Sequence, residues 1–155
     1  MAESFFLPVF YAFAASFCFG ILFNIRGGRL WAAAACGALS WTVYLMSGQW
    51  LSSVIARNLA AMVAVSVCAE VMARLFKTPV STFLVLGLIP LVPGAGMYDT
   101  MERMLSGDLS GAVSVGLTTL GVAAALGFGI VMVSSFSRIV TAALRKKRVD
   151  KRQEV

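Results

Sequence analysis

Isolated charges cut this chain into long apolar stretches, and those stretches predict its elements. The first runs uncharged from Ser4 to Ile25, between Glu3 and Arg26, which is enough chain for one membrane-spanning helix. A second stretch covers Leu30 to Met46 and ends at Ser47-Gly48-Gln49, a turn signal. The third, from about Ser52 to Leu75, carries Arg57, Glu70 and Arg74. The fourth is uncharged from Thr78 to Tyr98 but contains Pro90, Pro93, Gly94 and Gly96. The fifth runs without charge from Leu109 to Ser137; at ~1.5 Å per residue it reaches ~43 Å, so it must tilt or project from the bilayer. The pattern predicts an all-α integral membrane protein of about five transmembrane helices, over about 5–24, 30–46, 53–75, 79–95 and 109–137. A basic cytoplasmic tail, 138–155, would follow this 1–137 transmembrane domain. The segment 79–95 either crosses fully or re-enters.

The fourth stretch departs most from an ordinary span. Pro90 cannot donate to the Leu86 carbonyl, nor Pro93 to that of Ile89, so two acceptors are freed about one turn apart where no water pairs them. Gly94-Ala95-Gly96 then lets the chain turn. Over 97–106, Met97, Met101, Met104 and Leu105 share one side of a helix, with Asp99, Glu102 and Arg103 mostly on the other. That pattern predicts a short amphipathic helix at the outer membrane interface. Freed carbonyls beside a new helix N-terminus are the parts from which broken-helix transporters build binding sites for anionic groups. A helix that stops at proline before a re-entry loop uses the same residues.

Composition strengthens the membrane reading. Hydrophobic residues make up 59% of the 155 positions and charged residues 13%, with a mean hydropathy of +0.87, outside the soluble range. The net charge of +6 does not point to nucleic acid, because seven of the thirteen basic residues follow Phe136. Placing the C-terminus inside puts Arg26, Arg29, Arg74, Lys77 and those seven on the cytoplasmic side, leaving Arg57 and Arg103 outside. Glu3, Asp99, Glu102 and Asp108 then all fall outside. The bias predicts N-out, C-in. The run Arg145-Lys146-Lys147-Arg148 with Lys151-Arg152 would hold anionic lipid headgroups, or serve as an orientation signal alone.

Histidine is absent, which removes the usual general base, the imidazole metal and haem ligands, and Ser-His or Cys-His pairs. No enzyme activity, metal or cofactor is expected. Cys18, Cys36 and Cys68 each sit in an apolar run and read as buried, inert thiols. Glu70 is the acid inside a span and so a functional candidate, although Arg74 at i+4 makes a structural ion pair sufficient. Arg57, near the outer interface, snorkels or binds a carboxylate. On the fifth span Gly121, Ala125 and Gly129 recur at four-residue spacing, which predicts that this helix faces protein.

The block Ile89-Pro90-Leu91-Val92-Pro93-Gly94, followed by Tyr98 and Met101 and preceded by Glu70, Arg74, Lys77 and Pro79, resembles the threonine/serine exporter family. Phe23-Asn24, Arg29-Leu30 and Gly37-Ala38 extend the likeness. It resembles the small membrane subunit, equivalent to the C-terminal five-span half of the long exporters. The resemblance implies secondary export, across a bacterial inner membrane, of carboxylate-bearing metabolites: threonine and serine, or a dicarboxylate such as succinate. It also implies a separate, larger membrane subunit as partner, with homo-oligomers as a further option. A non-transporting scaffold for such a partner is the alternative. The candidate substrate-path and coupling residues are Asn24, Glu70, Pro90, Pro93, Gly94, Gly96, Tyr98 and Asp99.

Overall fold

A computed structural model describes residues 2–153, and the side chains of residues 5–139. Every element among the described residues is helical: α1 Ala2–Leu22, α2 Gly28–Ser47, α3 Val54–Phe76, α4 Val80–Leu88, a 3₁₀ turn Ile89–Leu91, α5 Gly94–Leu105 and α6 Leu109–Gln153. Four helices are long and apolar enough to cross a membrane, over Phe5–Leu22, Gly28–Ser47, Val54–Phe76 and Leu109–Ile139. A fifth crossing exists if Val80–Leu91 and Gly94–Leu105, bent by 47° at their junction, count as one broken span.

The connections follow from local chemistry. Asn24 closes α1 in the left-handed conformation, φ 58°, which asparagine tolerates better than most residues. Lys77 does the same for α3, φ 52°, and the N–H groups of Lys77 and Thr78 both return to the Ala73 carbonyl. Pro79 then prevents α3 from continuing. At the α2–α3 turn, Arg57 Nε donates to the Leu51 carbonyl at 2.6 Å and its guanidinium lies over Gly48. The cation thus sits by the C-terminal end of α2, where the helix dipole favours it.

Helices α2 and α3 form the centre of the bundle, with α1 against α2, α6 against α3, and α4 lying across both central helices. Their close approach comes from small residues. Ala33, Cys36, Ala69 and Ala73 pack with Phe83 and Leu86 of α4 in one buried cluster. A second cluster joins Ala61, Met62 and Val65 of α3 to Leu91 and to Val122 and Leu126 of α6. The predicted Gly121, Ala125 and Gly129 stripe does face protein, and that protein is α3 of the same chain. A Cβ at Gly121 would press on Ile55 and one at Gly129 on Met62. The other small strip, Ala112 with Gly116, receives Thr100 of α5.

Two features differ from expectation. The amphipathic helix starts at Gly94, not 97, and runs antiparallel beside α6, pairing Gly96 with Thr119, Thr100 with Gly116 and Arg103 with Asp108. Glycine and threonine form its contact face, so Met97, Met101, Met104 and Leu105 stay exposed. The helix expected over 109–137, α6, continues through 137 without a break as far as Gln153. The basic run 145–152 lies outside the residues whose side chains are described.

Candidate functional site

The break between α4 and α5 builds a site, and it does so through its two prolines. Pro90 leaves the Leu86 carbonyl without an in-helix donor; Ser16 of α1, fully buried, donates its hydroxyl to that oxygen at 2.9 Å. Gly37 of α2 makes room for this contact, since a Cβ there would overlap Ser16. At the second proline the helix gives way to a 3₁₀ bond, Val92 N–H to Ile89 C=O at 3.4 Å. Pro93, at φ −78° and ψ 54°, then makes an inverse γ-turn closed by Gly94 N–H to Val92 C=O at 2.8 Å. So both freed carbonyls are satisfied inside the protein, as hydrocarbon requires.

A cavity of about 420 Å³ opens beside this turn. Pro90, Pro93 and Gly96 form its floor, while Trp41 and Tyr44 of α2 and Asn58 of α3 form one wall. Ser114, Thr118 and Thr119 of α6 form the other. Thr118 and Thr119 donate to the Ser114 and Val115 carbonyls at 3.1 and 2.8 Å, so their remaining lone pairs are what they offer the cavity. Asn58 spends one amide hydrogen on the Val54 carbonyl and keeps its other hydrogen and its oxygen. The Trp41 and Tyr44 rings stack at 5.1 Å between centroids and give an aromatic surface. No Asp, Glu, Lys or Arg lines the cavity among the described residues.

Of the residues singled out from sequence, Pro90, Pro93 and Gly96 meet at this cavity. Gly94 lies in the turn but outside the lining, and a Cβ there would meet nothing within 4 Å. Tyr98 and Asp99 are exposed on α5, outside the lining. Glu70 is elsewhere: twelve residues along α3 from Asn58, roughly 18 Å by helical rise. There it accepts the Ser137 hydroxyl of α6 at 2.8 Å and lies 3.7 Å from Arg74, which itself donates to Ser137 at 3.0 Å. This polar cluster ties α3 to α6. Asn24 is outside the cavity lining; it terminates α1 and accepts from Arg26 Nε at 3.0 Å. Trp41, Tyr44 and Asn58 were not singled out by the sequence. An asparagine in the first turns of a span, next to Arg57, and hydroxyls recurring at Ser110, Ser114 and Thr118 were the available signals.

At the turn between α5 and α6, Asp108 caps α6. Its carboxyl accepts the Gly111 N–H at 2.9 Å, the Ser110 hydroxyl at 3.1 Å and Arg103 Nη1 at 3.1 Å. The Gly111 amide first, then Ser110 and Arg103, hold its pKa below the ordinary carboxylate value.

A family described as Threonine/Serine exporter, ThrE, matches the chain over residues 8–136. No curated protein and no solved structure matches it.

Proposed function

The chain belongs to the threonine/serine exporter family, and from that premise we propose that it moves a zwitterionic amino acid through the cavity beside the Pro90 to Gly96 break. The observation that carries this reading is the cavity's lining, which is mostly apolar, with a few amide and hydroxyl groups and no formal charge. Two carboxylates entering such a site would bring two uncompensated charges into low dielectric, a cost of several kcal/mol per ion. An amino-acid zwitterion carries no net charge and needs donors for one end and acceptors for the other. The Ala95 and Gly96 amides at the start of α5 and the Asn58 amide supply the former; the lone pairs of Thr118 and Thr119 supply the latter. This favours threonine or serine over succinate.

In this reading the chain is one subunit of a secondary exporter in a bacterial inner membrane, N-out and C-in, working with a larger membrane subunit. Two observations support a partner. The methionine face of α5 has no cover among the described residues, and the cavity walled by α2, α3, the 3₁₀ turn, α5 and α6 is only partly enclosed. Proton coupling falls to Glu70 in preference to Asp99, because Glu70 joins two helices whereas Asp99 is exposed. The test is efflux from proteoliposomes loaded with threonine, serine or succinate, with the chain alone and with the candidate larger subunit. Threonine and serine are expected to leave under a proton-motive force and succinate to stay. Succinate efflux at an equal or higher rate would overturn the assignment of a neutral site. Normal efflux and pH dependence in a Glu70→Gln variant would remove Glu70 from coupling.

A further inference from the structure

The Sγ atoms of Cys36 in α2 and Cys68 in α3 lie 3.6 Å apart across the helix interface. Both thiols are free, and neither has a part in the site just described. Cys36 is fully buried and Cys68 partly so, and the neighbours on their helices are the alanines 33, 69 and 73. A disulfide has a sulfur–sulfur distance of about 2.05 Å, so the sulfurs need to close by roughly 1.5 Å. Rotation about the two Cα–Cβ bonds supplies a displacement of that order.

We propose that Cys36 and Cys68 form a redox-active dithiol, which a membrane-soluble two-electron oxidant of the quinone class closes into a disulfide that staples α2 to α3. In the reaction two S–H bonds break and one S–S bond forms. Both electrons and both protons pass to the quinone, which leaves as the hydroquinone. A dithiol reductant reverses the step by thiol–disulfide exchange. The position of the pair selects its oxidant: an apolar quinone dissolves in the bilayer around the helices, whereas a charged, water-soluble disulfide is kept away from a sulfur buried in an apolar interface. Cys18 faces outward on α1 and takes no part. Because α2 carries Trp41 and Tyr44 and α3 carries Asn58, the staple fixes one wall of the cavity. The consequence for transport rests on the function proposed above; the dithiol itself does not.

The experiment uses the full-length chain in liposomes, incubated with duroquinone or with oxidised glutathione, then denatured and alkylated with a maleimide–polyethylene glycol that adds a countable mass per thiol. Duroquinone is expected to lower the count from three thiols to one on a monomeric chain, and reduction by dithiothreitol to restore three. Oxidised glutathione should leave three. Cys36→Ala and Cys68→Ala should each show two thiols whatever the treatment. Three thiols after duroquinone, or loss of thiols solely through dimers that vanish in Cys18→Ala, would overturn the proposal. Threonine efflux, measured on the same liposomes, should drop several-fold on oxidation of the wild type and hold in Cys36→Ala. Unchanged efflux by a fully oxidised chain would refute the staple's effect on transport. A reduced wild type that moves no threonine would count against the proposed function, with the thiol count still deciding the dithiol.

Discussion

Two glycines in one short motif have opposite requirements. Gly96 faces Thr119 so closely that a Cβ would overlap the threonine hydroxyl, and that hydroxyl is held in place by its bond to the Val115 carbonyl. Gly94 has open space on its Cβ side and no positive φ. Gly96→Ala should therefore push α5 off α6 and destabilise the protein by about 1–3 kcal/mol, the usual cost of overpacking. Gly94→Ala should be neutral or slightly stabilising, because alanine restricts the unfolded chain. Thermal unfolding in detergent checks both, and Thr119→Ala should recover much of the Gly96→Ala loss by removing the obstructing oxygen. Asp108 makes a pH prediction at the same scale. Its lowered pKa means that the unfolded state takes up its proton first, so the cap's contribution is present above the ordinary carboxylate pKa of about 4 and disappears as pH falls through the lower folded value. Hydrogen exchange at Gly111, the amide that Asp108 accepts, should gain protection with rising pH across that window after correction for the intrinsic rate. Asp108→Asn, which caps without titrating, should flatten the dependence.

At the scale of elements, the break between α4 and α5 is a feature of three helices. Pro90 deprives the Leu86 carbonyl of α4 of its donor, Ser16 of α1 replaces it, and Gly37 of α2 gives the replacement its space. This predicts a coupling between residues 74 positions apart in sequence. Ser16→Ala should cost about 1–3 kcal/mol, because the Leu86 carbonyl is left buried without a donor. In a Pro90→Ala background residue 90 regains an N–H that can serve Leu86 through the helix, and the same Ser16→Ala change should cost distinctly less. A double-mutant cycle by thermal or denaturant unfolding measures the difference, and additive costs would show that Ser16 does not stand in for the proline's missing donor. The break itself was legible in the sequence, since proline and glycine act through the backbone wherever they stand. The donor was not, because nothing within α1 marks which of its hydroxyls turns toward α4. The same limit hid the cavity walls: Pro90, Pro93 and Gly96 announce themselves, whereas Trp41, Tyr44 and Asn58 acquire a role only once α2 and α3 are packed together at Ala33, Ala69 and Ala73.

At the scale of the whole molecule, the long crossings could be read from charge spacing alone, because hydrocarbon tolerates few ionised side chains and each uncharged run has to be a helix. Orientation depends on a different asymmetry, the placement of Lys and Arg between the runs, and it makes a sharp prediction. With five crossings, the α3–α4 turn at Lys77 and the α5–α6 turn at Ser106 lie on opposite sides of the bilayer, the former with the basic residues inside and the latter outside. With four crossings, in which α4 and α5 together do not span, the two turns lie on the same side. Residues 80–91 alone reach roughly 18 Å by helical rise, too short for a hydrocarbon core of about 30 Å, so the crossing needs α5. The 47° bend keeps α5 advancing in the direction of α4 instead of turning it back, which favours five. In a variant lacking Cys18, Cys36 and Cys68, single cysteines at Lys77 and Ser106 should respond differently to a membrane-impermeant maleimide applied to intact cells. Ser106→Cys should label from outside, and Lys77→Cys only after the membrane is opened. Equal labelling of the two would remove the fifth crossing and make the α4–α5 segment re-entrant. The cavity at Pro90 to Gly96 would then open from the side on which both turns lie, and the route proposed for the substrate would have to start and end elsewhere.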